Sequence, residues 1–338
     1  MAILTLIDGA LGKLDEWYFR YHCHVNRDAP PMFHRGWGSP AALTAVNGRW
    51  NEPEAPRSIG ITWETDWSLT SHGLWTRSGS FPTPLHVEHL PPESARAYVH
   101  FVRPALKGTG PVVVLPPTSR EAGVAGRLPT AWALARQGIS SMLLESPFMG
   151  RRKPQSQHGA TLQHFSDFLV LCAAAIEEAR AVLAWLAGQG FRELCTAGIS
   201  KGGYLASVAG LRSSAPSHVV ALLPPDSGVP VLIDGLLGRL CDWELLQRTS
   251  GSSRPVKQQM IDLFALTSLM RLPAPASGQR VTLIAARRDR YVPRDAYERL
   301  AQHWKGRADV RWLGGGHVST IAERGHLIRA IIDTLRPH

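Results

Sequence analysis

The sequence predicts an α/β protein built on a mostly parallel sheet that is covered on both faces, and three observations predict it. Short, almost wholly apolar runs recur between longer helical segments, as in GPVVVL at 110–115, ISSMLL at 139–144 and HVVALL at 218–223. Such runs suit strands buried on both sides, and the helix-length spacing between them suits crossover connections. A fourth run, LCTA at 194–197, ends in the bend Gly198-Ile199-Ser200-Lys201-Gly202 and leads into a small-residue helix from Gly203. Finally, two late strands end in chemistry-bearing turns: RVTLIAARRDRYVP at 280–293 holds Asp289, and DVRWLGGGH at 309–317 holds His317.

Taken in chain order, residues 4–24 read as an amphipathic helix, with Leu4, Leu11, Leu14, Trp17, Tyr18 and Tyr21 on its apolar side and Asp8, Lys13, Asp15 and Arg20 on its polar side. The polar side is not strongly cationic, which favours packing on the sheet over lying on a lipid surface. Glycine, proline and asparagine at 33–38 and 51–56 predict connecting structure before a strand-rich stretch at 58–64, 73–77 and 97–102. Trp50, Trp63, Trp67 and Trp75 fall in or near that stretch and are expected to pack. The 110–115 strand is followed by the loop Pro116–Arg120, a helix over 126–137 and the 139–144 strand. Phe165, Leu169, Cys172, Ile176, Ala179, Leu183 and Leu186 place one face of a long helix within 162–186, stopped by Gly188 and Gly190. Beyond 218–223 the alternation loosens, and 231–240 and 255–272 read as helices of an inserted cap. A helix begins near Pro293, and a terminal one spans 318–335. The implied organisation is an N-terminal extension over 1–105 integrated with a core of 106–228 and 279–338, with a helical cap insertion over 229–278.

Composition narrows the class. With 338 residues, 44% apolar and 19% charged, the chain has a globular rather than a disordered balance. The net charge of +10 comes without a basic arm or a nucleic-acid motif, so no nucleic-acid partner is expected. Cys23, Cys172, Cys195 and Cys241 are too far apart for a metal knuckle, and His22-Cys23-His24 lacks partner ligands, so neither a metal nor another cofactor is expected. No apolar run reaches membrane-spanning length and the N-terminus lacks the pattern of a signal peptide, which together point to a cytoplasmic protein without a transmembrane segment. Peripheral membrane contact is compatible with the charge, and the sequence leaves the oligomeric state open.

The bend at Ser200 has the Gly-x-Ser-x-Gly spacing of a nucleophile elbow, where glycines let a strained strand-to-helix turn approach neighbouring backbone. Ser200 there presents its hydroxyl beyond the sheet, while the Lys201 N–H at the helix start faces a developing oxyanion. A serine nucleophile needs a neutral histidine to take its proton and a carboxylate to orient that histidine. Ser200, Asp289 and His317 occur in the serine, acid, histidine order of an α/β-hydrolase. Asp226, which follows the strand after the Ser200 strand, is the alternative acid. Neither Pro116 nor Pro117 has an N–H, so the second oxyanion donor falls to Thr118 or Ser119. The segment ESPFMGRRKPQ at 145–155 leaves a strand end on the same side, and its Arg151, Arg152 and Lys153 can either bind an anionic group or pair internally, for example with Glu145.

Four stretches, FHRGWG at 33–38, LLESPFMGRRKPQ at 143–155, GISKGG at 198–203 and the pair DRYVP at 289–293 with GGGH at 314–317, resemble the α/β-hydrolase family whose eukaryotic representative is abhydrolase domain-containing protein eighteen. The resemblance spans most of the chain in conserved order and implies a triad at the positions held here by Ser200, Asp289 and His317. Two departures stand out: Lys201 where methionine is common, and Pro116-Pro117-Thr118-Ser119 where a more glycine-rich oxyanion loop is usual. The expected activity is serine hydrolysis of a carboxylic ester, either a small-molecule or a lipid ester, with Leu236, Leu237, Phe264 and Leu269 of the cap offering an apolar acyl pocket. An amidase or peptidase using the same residues, and a noncatalytic binder on a hydrolase fold, are the alternatives.

Overall fold

The structure is a computed structural model that describes residues 2–51, 55–85 and 90–336, and the side chains of 13–46, 55–85 and 90–336. The expected roles of Leu4, Asp8, Leu11 and Trp50 therefore lie outside the described side chains. Ten strands join one sheet: β1 (Thr62–Trp63), β2 (Ser68–Leu69), β3 (Trp75–Pro82), β4 (Arg96–Arg103), β5 (Val112–Leu115), β6 (Ser140–Leu144), β7 (Leu194–Ile199), β8 (His218–Leu222), β9 (Val281–Ala286) and β10 (Asp309–Leu313). Their order is β1-β3-β4-β6-β5-β7-β8-β9-β10, with β2 paired to β3. From β6 through β10 every pairing is parallel, while β1 to β4 form an antiparallel wing joined through β4 to β6.

Eleven helices cover this sheet among the described residues: α1 (Ala2–Val25), α2 (Pro40–Asn51), α3 (Leu128–Arg136), α4 (Phe165–Gly188), α5 (Lys201–Leu211), α6 (Val229–Leu232), α7 (Trp243–Thr249), α8 (Val256–Leu266), α9 (Arg294–His303), α10 (His317–Ala322) and α11 (Gly325–Leu335). The two-residue period of β5 shows how the layers form. Val113 and Leu115 pack with Ala131 and Leu134 of α3 and Leu327 and Ile331 of α11, whereas Val112 and Val114 pack with Val182 and Leu183 of α4 on the other face. All four β5 side chains are buried, which explains why the strand reads as a continuous apolar run rather than an alternating one. In the antiparallel wing, the guanidinium of Arg77 lies over Trp63 and Trp67, and these rings pack against Phe101.

Several boundaries depart from the sequence expectation for identifiable reasons. Helix α2 fills the span between the two connecting stretches, which the sequence left unassigned; its PAALTAVNGRWN sequence has weak amphipathic patterning, and contact with α4 and α8 holds it instead. The two cap helices become α6, α7, α8 and two 3-10 turns, because Gly235 interrupts the first segment and Pro255 and the 3-10 turn Leu269–Arg271 bracket the second. The terminal helix divides into α10 and α11 around Glu323 and Arg324.

Candidate active site

The parallel strands end on one side of the sheet, and the candidate residues gather there. At the end of β7, Ser200 has φ 55° and ψ −123°, a backbone conformation sparsely populated by residues with a side chain. Its N–H donates to Leu222 O at 2.8 Å, which ties the bend to β8. The glycine at 198 is required by close approach: a Cβ there would lie 2.3 Å from Gly202 O. Lys201 begins α5, so its backbone N–H has no intrahelical acceptor and can donate to a group bound in the cavity.

Ser200 Oγ lies 3.0 Å from His317 Nε2, and His317 Nδ1 lies 2.6 Å from Asp289 Oδ2. Asp289 is itself held on all sides: Oδ1 accepts from Tyr291 N and Val292 N at 2.8 Å each, and Oδ2 also accepts from Tyr297 Oη at 2.6 Å. The alternative acid, Asp226, faces Arg299 at 3.4 Å instead, and burial pushes its carboxyl upward against the opposing pull of that arginine. For His317, burial opposes the charged imidazolium, but Asp289 and then Asp15 more than offset it, so the ring titrates above the ordinary histidine range. Tyr291 stands over the imidazole with ring centroids 5.0 Å apart.

These groups open on a cavity of about 660 Å³ whose wall is mostly apolar, with Leu115, Met149, Phe168, Leu169, Leu237 and Phe264 on it. Of the four apolar cap residues expected to form a pocket, Leu237 and Phe264 line the cavity, while Leu236 and Leu269 are buried away from its wall. Helix α1 forms part of the wall through Tyr18, Phe19 and His22. The Lys201 side chain also lines it, accessible from the cavity yet surrounded by protein, and burial pushes its ammonium down to about 8.

The two candidate oxyanion donors of the Pro116–Ser119 loop separate. Thr118 N and Oγ1 both donate to Glu121 Oε2, at 3.2 and 3.1 Å, so the Thr118 N–H is already engaged. Glu121 is in turn paired with Arg127 at 2.7 Å, and Arg127 reaches Leu115 O and Leu144 O, fastening the ends of β5 and β6. Ser119 lines the cavity without such an engagement among the described residues.

Arg151, Arg152 and Lys153 do not line this cavity, and each is engaged within the protein, the internal pairing that was one of the two roles open to them. Arg151 makes a two-pronged pair with Glu145 and lies 3.5 Å over the Tyr98 ring. Arg152 is fully buried and paired with Glu178 at 2.5 and 3.0 Å, and Lys153 donates to Gln157 O at 2.8 Å. No group of three or more histidine, cysteine or acidic side chains suited to a metal occurs among the described residues. No helix among them is long and apolar enough to cross a membrane.

The model of the family described as Alpha/beta hydrolase domain containing 18 matches residues 30–255 and 247–336. The chain belongs to that family. Solved structures agree with this family at the level of fold. The acetyl xylan esterase from Paenibacillus sp. R4 superposes with a TM-score of 0.58 at 14% identity, over 86% of this chain and 92% of that one. Acetyl xylan esterase 1 from Thermoanaerobacterium sp. JW/SL YS485 gives 0.57 at 12% identity, over 89% and 96%. An acylaminoacyl peptidase from Pyrococcus horikoshii gives 0.50 at 11% identity, over 82% of this chain but 41% of the peptidase. This family member thus has an α/β-hydrolase fold whose structural neighbours include esterases and a peptidase.

Several residues that surround the site had no sequence signal. Glu121 and Arg127 sit in an unremarkable loop and helix start, and Tyr297 looks like an ordinary buried helix residue. Asp15 meets the His317 loop from a position 302 residues earlier in the chain, on what reads as the polar side of an amphipathic helix.

Proposed function

We propose that the protein is a serine hydrolase that cleaves carboxylic esters with an apolar acyl group through an acyl-enzyme intermediate. The observation that carries this reading is the 3.0 Å contact of Ser200 Oγ with His317 Nε2 at the wall of a largely apolar cavity. Ser200 Oγ attacks the ester carbonyl as His317 Nε2 takes its proton, and the same nitrogen returns that proton to the departing alkoxide. Water then attacks the acyl-Ser200 carbonyl as His317 Nε2 takes its proton, and the same nitrogen returns that proton to Ser200 Oγ as the acyl–oxygen bond breaks and the acid product leaves. Asp289 holds the Nδ1–H tautomer of His317 and stabilises the imidazolium, aided by the donors from Tyr291, Val292 and Tyr297. The Lys201 N–H stabilises the tetrahedral oxyanion, and Ser119 supplies the second donor because Thr118 is committed to Glu121.

The size and apolar character of the cavity favour an acyl chain over a charged peptide as the group bound beside Ser200. Small esters and lipid esters both meet that requirement. The test is side-by-side turnover of matched acyl esters and acyl peptides by wild type and Ser200→Ala. Ester turnover lost in Ser200→Ala is the expected result; peptide cleavage without ester turnover would make the protein an amidase, and no Ser200-dependent turnover of either would favour a binding role.

A further inference from the structure

We propose that Asp15 of α1 is a positioning residue for His317, making the N-terminal helix a working part of the site. This rests on the serine-hydrolase reading of Ser200 and His317. Asp15 is fully buried, and its two oxygens accept three backbone N–H groups, one from the turn after β9 and two from the first residues of α10. Oδ2 accepts from His317 N at 2.8 Å and from Arg290 N at 3.0 Å, while Oδ1 accepts from Val318 N at 2.8 Å. One carboxylate therefore fixes the backbone that carries the proposed base and the residue that directly follows the proposed orienting acid. The Arg290 side chain does not neutralise it, because that guanidinium pairs with Glu16 at 2.8 Å.

Packing leaves this carboxylate little freedom. A Cβ on Gly316 would stand 2.8 Å from Asp15 Oδ2 and 2.9 Å from Oδ1, so the backbone before His317 rests directly on the carboxylate. A misplaced imidazole loses its line to Ser200, and displacements of this kind lower rates steeply. The second consequence is electrostatic. Asp15 places another negative charge beside the proposed imidazolium, in addition to Asp289, and both act in the direction of a raised His317 pKa against the opposing effect of burial.

The other groups around the imidazole are Ser200, Tyr291 above its ring and Tyr297 behind Asp289, while α1 also brings Tyr18 and His22 to the cavity. On the C-terminal side, Arg324 donates to Gly126 O, and Glu323 pairs with His326 at the surface. Arg120 and Lys201 are the remaining cations on the cavity wall outside the Glu121–Arg127 pair. Burial pushes the Lys201 ammonium down to about 8.

The experiment measures the rate of Ser200 modification by a serine-directed phosphonate as a function of pH, in wild type, Asp15→Asn and Gly316→Ala, with folding checked by circular dichroism. Only the neutral imidazole activates Ser200, so the acid limb of the rate profile reports His317. Asp15→Asn is expected to slow the plateau rate about tenfold to a hundredfold and to move the acid limb down by about one pH unit. Gly316→Ala, which pushes the carboxylate away without removing it, is expected to slow the plateau as well. A merely structural role would lower stability but leave the acid limb of the folded Asp15→Asn protein in place. An unchanged limb and plateau in either folded variant would overturn the proposal, as would failure of both variants to fold. Absence of Ser200 labelling in wild type would instead overturn the hydrolase reading on which the proposal rests.

Discussion

Lys201 brings two separable features to the cavity, a backbone N–H at the start of α5 and a side-chain ammonium pushed down to about 8 by burial. Replacing it with methionine keeps the N–H and removes the desolvated charge. Below pH 8 the lysine is charged in both folded and unfolded states, and the burial cost is fully present. Between about 8 and the ordinary lysine value of about 10.4 the folded state loses its proton first, so the stability of wild type rises with pH. Lys201→Met is therefore expected to be more stable than wild type near neutrality, by about 2 kcal/mol, with the difference shrinking as pH rises through that window. Urea denaturation at two pH values checks it; a constant difference, or a destabilised variant, would contradict the account. At this scale the sequence carried Ser200, Asp289 and His317, because each lies at a strand end and their order has chemical meaning. It could not carry the engagement of Thr118 by Glu121, which depends on where a loop side chain turns, nor the reach of Asp15 across the molecule.

The loop from 145 to 155 shows how an element can look like a binding motif and serve as an anchor. Arg152 donates to Glu178 on α4, to Glu145 O and to Ser94 O, and Thr83 Oγ1 completes the shell of Glu178 at 3.0 Å. Four parts of the chain thus meet at one buried ion pair, and the loop delivers Met149 to the cavity wall. Truncating one partner leaves the other charge buried and unpaired. Arg152→Ala is expected to cost about 3–5 kcal/mol of stability, whereas Lys153→Ala, whose ammonium donates to Gln157 O, is expected to cost less than about 1 kcal/mol. Thermal and denaturant unfolding compare the two; equal effects would contradict the anchoring role. Three adjacent basic residues give the same sequence pattern in either role, and only the position of Glu178, 26 residues later on a helix, separates them. The short helices between β8 and β9 were similarly blurred, since apolar spacing survives the proline and glycine breaks that divide them.

For the molecule as a whole, the parallel half of the sheet was legible because strands buried on both faces have an unmistakable apolar run, as Val112–Leu115 does. The antiparallel wing was less so: its strands β1 and β2 are two residues each, too short for any alternating pattern, and its pairing depends on β3 and β4. The sheet brings residues from the ends of β7, β9 and β10 to one cavity, and helix α1 closes over them through Tyr18, Phe19 and Asp15. That convergence makes the central claim a statement about one oxygen atom. The most direct measurement is mass spectrometry of the intact chain and its peptides after exposure to a serine-directed phosphonate. The account predicts a single adduct on the peptide containing Ser200, absent in Ser200→Ala and strongly slowed in His317→Gln. Adduct formation on another residue, or at an equal rate in Ser200→Ala and wild type, would contradict it.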